Sequence, residues 1–90
     1  MHDMIWVRGA ECAAAEVDDA LVLLDLDGGM YFALNGPAAD VWQALAEPKS
    51  EAALVETLVA KYLVEPEHCA LSVARLLQNL EEKGLVRPAD

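Results

Sequence analysis

Ninety residues with 16 Asp and Glu against six Lys and Arg give a formal net charge of −10. That length holds one domain with one modest core and is too short for a cleft between two lobes. The charge favours solubility and argues against unaided binding to a phosphate backbone, which needs clustered Lys and Arg.

Taken from the N-terminus, Ile5, Trp6, Val7 and Arg8 read as a short first strand, with Trp6 available to pack on a sheet. Residues 9–19 hold alanines and acids with no clear period and read as an irregular connection. Leu21, Val22, Leu23 and Leu24 form a continuous apolar run, the pattern of a strand covered on both faces or central in its sheet. Asp27-Gly28-Gly29 supplies the positive-φ residues of a hairpin turn. The next strand, residues 30–34, has period-two faces, with Met30, Phe32 and Leu34 on one and Tyr31 and Ala33 on the other. Asn35 is read as a helix N-cap and Pro37 as a first-turn residue, where a missing N–H costs nothing. Ala38, Val41, Trp42 and Leu45 then recur at helical spacing, predicting a helix to about Ala46 that stops before Pro48.

Ser50 caps a second helix, with Glu51 favourable to its dipole and Leu54, Val55, Leu58, Val59 and Tyr62 as its buried stripe. A third helix starts at Glu65-Pro66-Glu67 and carries an apolar face of Val73, Leu76, Leu77 and Leu80. Lys83 and Gly84 give it a C-terminal charge and a left-handed stop. Leu85, Val86 and Arg87 return as a short terminal strand. The predicted class is α+β, in one domain spanning 1–90. It comprises a three-stranded antiparallel sheet followed by three helices in a winged helix-turn-helix arrangement.

Cys12 and Cys69 are far apart and belong to no Cys/His metal spacing, so no metal site and no cofactor are expected. The N-terminus has neither a basic start nor an apolar run, and no segment approaches the roughly 20 apolar residues of a membrane span. The expected location is cytoplasmic, away from any membrane, with both thiols reduced. Residues 1–34 carry seven acids (Asp3, Glu11, Glu16, Asp18, Asp19, Asp25 and Asp27) against Arg8 alone. A solvated acidic surface and a face for a basic peptide both fit that imbalance.

Several short phrases occur in a specific order: the turn Gly28-Gly29, the strand-to-cap phrase Tyr31-Phe32-Ala33-Leu34-Asn35, Val41-Trp42-Gln43-Ala44-Leu45, and Glu82-Lys83-Gly84-Leu85-Val86. Over roughly residues 20–87 the chain resembles the PqqD family, and within it the stand-alone members of lasso-peptide biosynthesis. The resemblance implies a non-catalytic recognition element for ribosomally made, modified peptides. Such a protein binds the leader segment of a precursor peptide and presents it to a leader peptidase and an ATP-dependent macrolactam synthetase. In the branch that names the family, the partner is a radical SAM enzyme. The resemblance also implies that the leader adds as a strand beside residues 30–34 and rests on the third helix.

The candidate peptide-binding residues are therefore Met30, Tyr31, Phe32, Ala33 and Leu34 on the strand and Val73, Leu76, Leu77 and Leu80 on the helix. Val73, Leu77 and Leu80 are expected to serve mainly as core and Leu76 as the groove residue. Asp27, with Asp25, is positioned for a basic leader residue and Arg75 for a leader carboxylate; such exposed pairs contribute under about 1 kcal/mol. The turn has no basic residue where lasso-type members often carry one, which removes the basis for an acidic-leader preference. His2 and His68 form no catalytic grouping, and neither a phosphate loop nor an activated nucleophile is present, so no catalytic residue is assigned. Two other binding roles follow from the helical half. A DNA reader is disfavoured because residues 66–83 carry Glu67, Glu81 and Glu82 against Arg75 and Lys83. The alternatives kept beside the leading reading are a PqqD-type peptide chaperone for a radical SAM enzyme, which the resemblance implies, and an acidic winged-helix module acting on another protein in transcription.

Overall fold

The computed structural model describes residues 4–9 and 11–89; His2 and Asp3 lie outside them. Among the described residues nine elements follow one another: β1 (Ile5–Arg8), β2 (Cys12–Val17), β3 (Ala20–Asp25), β4 (Tyr31–Leu34), α1 (Pro37–Ala44), β5 (Lys49–Ser50), α2 (Glu51–Tyr62), α3 (Pro66–Glu82) and β6 (Val86–Pro88). The α+β class stands, but the strands form two antiparallel sheets of three, ordered β5-β1-β6 and β2-β3-β4.

The expected single sheet of residues 5–8, 21–24 and 30–34 is thus corrected. β1 leaves the hairpins and pairs with β5 (Trp6 opposite Lys49) and β6 (Val7 opposite Arg87). Residues 12–17, read as irregular, form a strand along the whole of β3, from Cys12 opposite Asp25 to Val17 opposite Ala20. Cys-Ala-Ala-Ala-Glu-Val has little strand propensity and hardly any burial of its own; pairing with an apolar neighbour makes it a strand. The helix before Pro48 opens with Gly36 at the N-cap (φ 59°), where no side chain caps it, so Asn35 does not play the capping role. A positive φ is easily adopted by glycine, and a chain bending sharply out of β4 needs one there.

Other local signals hold. Ser50 Oγ accepts the Ala53 N–H at 3.0 Å, and Gly84 turns the chain out of α3 at φ 78°. A core of Leu23, Leu54, Leu77, Leu80, Leu85, Val41, Val73 and Val86 lies between the sheets and helices, each almost fully buried. Trp6 is buried and donates its Nε1–H to Glu51. Arg8 reaches from β1 to α1, stacking 3.5 Å above the Trp42 ring and donating Nε–H to the Trp42 carbonyl. Partial burial pulls the guanidinium's pKa below its ordinary value. The sole Lys or Arg of the first 48 residues is therefore spent on the fold.

Candidate functional site

The β3–β4 hairpin determines which groups β4 presents. Its loop is residues 26–30, with Gly29 at φ 73°. Asp25 Oδ1 accepts the Asp27 N–H at 3.0 Å, so Asp25 shapes the turn, while Asp27 is exposed. The Asp25 N–H donates to the Met30 carbonyl at 2.8 Å, and the Leu26 N–H to the Glu11 carbonyl at 3.0 Å. Antiparallel partners alternate between hydrogen-bonded and non-bonded pairs. With Leu23 opposite Phe32 and Leu21 opposite Leu34, the even residues of β4 bond to β3. The backbone N–H and C=O of Tyr31 and Ala33 point the other way. Among the described residues, β4 has β3 as its one strand neighbour, so these groups form an open edge. It carries no Lys, no Pro and no bulge, the usual devices that blunt an edge.

Side chains sort by the same alternation. Leu34 is buried and Phe32 half-buried against the core, whereas Tyr31 and Ala33 are exposed. Met30, at the end of the loop, is 58 % exposed.

The wall beside this edge is identified from α3. At 100° per residue, Cys69, Val73, Leu77 and Leu80 make one stripe, and all four are buried. One flank, Ala74, Gln78 and Glu81, lines a hollow with Trp6 and Pro88 and therefore faces the β5-β1-β6 sheet. The opposite flank carries His68, Ser72 and Leu76. His68 and Ser72 share an apolar cavity of about 220 Å³ with Pro37, Leu58, Tyr62 and Val64. Pro37 is three residues past the end of β4, so the cavity lies where the open edge runs out. Leu76, one turn on from Ser72, is half-buried against the same core as Phe32. Arg75 is exposed at the outer rim of this flank.

Of the residues named from sequence, the structure groups Tyr31, Phe32, Ala33 and Leu34 on the edge, with Leu76 on the flanking helix. Val73, Leu77 and Leu80 hold the helix in place from the core and present no surface to a ligand. Sequence reasoning missed Pro37, Val64, His68 and Ser72. The available signal was the spacing of His68, Ser72 and Leu76, which places them on one side of the buried stripe.

Tyr62 is fixed by Asp40, which accepts hydrogen bonds from its hydroxyl and from Lys61 Nζ, the latter at 2.7 Å. Burial pushes the Asp40 carboxyl upward, but the bonds from Lys61 and Tyr62 outweigh it and hold the pKa below its ordinary value. The Cys12 thiol is held above its usual range by burial and then by Asp25, against a smaller opposing pull from Arg8. Among the described residues no group of three or more His, Cys, Asp or Glu side chains is arranged to hold a metal ion. No helix there is long and apolar enough to cross a membrane.

An open strand edge, a helix flank and an apolar hole at the end of that edge thus characterise this small α+β protein. Residues 20–86 match the family model described as coenzyme PQQ synthesis protein D, and the chain belongs to the PqqD family. Two solved structures share the fold closely. One is described as TbiB1 in complex with the TbiA(beta) leader peptide; it is 27 % identical with a TM-score of 0.80, covering 93 % of this chain and 98 % of that one. The other, a lasso peptide synthetase B1 complexed with the leader peptide, is 32 % identical with a TM-score of 0.77, covering 92 % and 98 %. A comparison with curated proteins returns no match.

Proposed function

We propose that this chain is a non-catalytic adaptor that binds the leader of a ribosomally made precursor by strand addition to β4. In this reading it works in the cytoplasm and delivers the leader to a leader peptidase and a macrolactam synthetase. The observation that carries the reading is the unblunted edge at Tyr31 and Ala33, in a PqqD-family chain, beside a helix flank with an apolar hole. Main-chain bonds to those two residues supply affinity with little sequence demand, and alternate leader side chains supply selectivity. Those side chains rest on Phe32, Leu34 and Leu76 and reach the cavity by Pro37. Asp27 and Arg75 lie at the rim, where charge selects register more than strength. The helical half with β6 behind it acts as a winged-helix-like scaffold for a peptide.

Titration of the chain with the leader of the precursor encoded beside it should saturate. Leu76→Asp, which puts a charge on the flank and leaves the buried stripe intact, should weaken binding about tenfold or more. Failure of every neighbouring precursor to bind would overturn the reading.

A further inference from the structure

The β2-β3-β4 sheet has a second face, which the leader-binding reading does not use. The registers place Ala13, Ala15 and Val17 of β2 beside Leu24, Val22 and Ala20 of β3, with Tyr31 and Ala33 of β4 opposite Leu24 and Val22. All eight side chains lie on the face opposite Leu21, Leu23 and Leu34, which are buried. None of the eight is charged and none is buried, Val17 and Tyr31 being 52 % and 70 % exposed. A sheet with one core face ordinarily alternates apolar with polar residues. Here both sides are apolar, and a contiguous exposed apolar surface marks an interaction site.

Charge decides what covers it. Glu11 and Asp27 lie at one end of this face and Asp18 and Asp19 at the other, while Glu16 and Asp25 alternate to the opposite side, and residues 9–48 contain no Lys, Arg or His. A second copy of the chain, stacked face to face in either direction, would set acids against acids at both ends. The complementary surface is an apolar patch flanked by basic residues.

We infer that the outer face of the β2-β3-β4 sheet is a docking surface for a folded partner protein whose apolar patch is flanked by Lys or Arg. The inference deepens the adaptor reading and rests on it, because it assigns where a delivered-to enzyme holds the adaptor. The face is continuous with the β4 edge, so a partner seated there lies directly beside a bound leader.

The test uses the purified full chain with the leader peptidase and, separately, the macrolactam synthetase of the same pathway, by calorimetry. Ala15→Lys puts a charge in the middle of the face, and Asp19→Lys reverses the rim in an exposed turn. Each should weaken enzyme binding about tenfold while leader affinity stays within about twofold. Added salt should weaken the wild-type enzyme complex. If Ala15→Lys also loses leader binding, Asp19→Lys decides alone. Unchanged enzyme affinity in the variants overturns the inference, as does a wild-type chain that binds leader but neither enzyme. A wild-type dimer in sedimentation that Ala15→Lys dissociates makes the occupant a second copy and also overturns it. A chain that binds an enzyme through this face but no leader rejects the adaptor reading and keeps the face.

Discussion

The two sheets are built to opposite plans. The β5-β1-β6 sheet joins residues 5–8, 49–50 and 86–88, the beginning, middle and end of the chain, and each strand is short. It holds Trp6 and Val86 in the core and contains Arg8, Lys49 and Arg87. The β2-β3-β4 sheet is a pair of consecutive hairpins from residues 12–34, without a basic side chain, open at both edges and apolar on its outer face. The first sheet staples the fold. The second leaves its outer face and, among the described residues, both edges exposed, and its stability rests on one face of β3 and β4 packed on the helices. A small domain can leave two edges and a face uncommitted because its chain closure is handled elsewhere.

The largest expected effect comes from breaking the staple. A Cβ on Gly9 would sit 2.8 Å from the Gly84 carbonyl oxygen, a backbone atom that cannot move aside. Gly9→Ala should cost about 1–3 kcal/mol and lower the melting temperature by several degrees. An unchanged melting curve would show that β1 and the start of β6 are not closely held.

Among the described residues the β2-β3-β4 sheet has two free edges, and they differ. On β2 the outward groups belong to Cys12, Ala14 and Glu16, because the odd residues bond to β3. At its Glu16 end that edge meets a cavity of about 350 Å³ shared with Asp40, Gln43 and Lys61, whose lining is charged and polar where the hole at Pro37 is apolar. Proline removes an outward N–H without touching the inner ladder. Ala33→Pro should therefore cut leader affinity about tenfold or more, and Ala14→Pro should leave it unchanged, both retaining the wild-type far-UV spectrum. Leu76→Asp sharpens the same contrast from the helix side.

The smallest effect concerns Asp40. Its folded pKa is lowered, so the stability it contributes is complete above its ordinary value of 3.8 and is lost as the pH falls through the lowered value. Asp40→Asn should lower stability slightly at neutral pH, change little below the lowered pKa, and so flatten the acid limb of the stability profile. An acid limb identical to wild type would show that Asp40 does not hold Tyr62 at the cavity.

Much of this was legible from residue order. The apolar run 21–24, the period-two strand at 30–34, the Ser50 cap and the stripe of α3 have local causes, and the structure repeats them. The assignment of Val73, Leu77 and Leu80 to core rather than groove follows from the same periodicity. What was not legible depends on partners distant in sequence. Residues 12–17 become a strand because β3 lies beside them, and Ala13, Ala15 and Val17 show their face only once that register exists. β1 joins Lys49 and Val86 across a gap no local pattern encodes. Asn35 was a good cap by type, but the turn out of β4 needed the positive φ of Gly36 one residue later. The cavity at Pro37 draws on α1, α2 and α3 together, so no single stretch announces it.

In the proposed function β4, and not β2, receives the leader. Amide hydrogen exchange of the free and leader-bound chain tests it most directly. Exchange at Tyr31 and Ala33, whose N–H groups face solvent in the free protein, should slow on binding, while Ala14 and Glu16 keep their free rates. Protection at Ala14 and Glu16 with none at Tyr31 and Ala33 would contradict it.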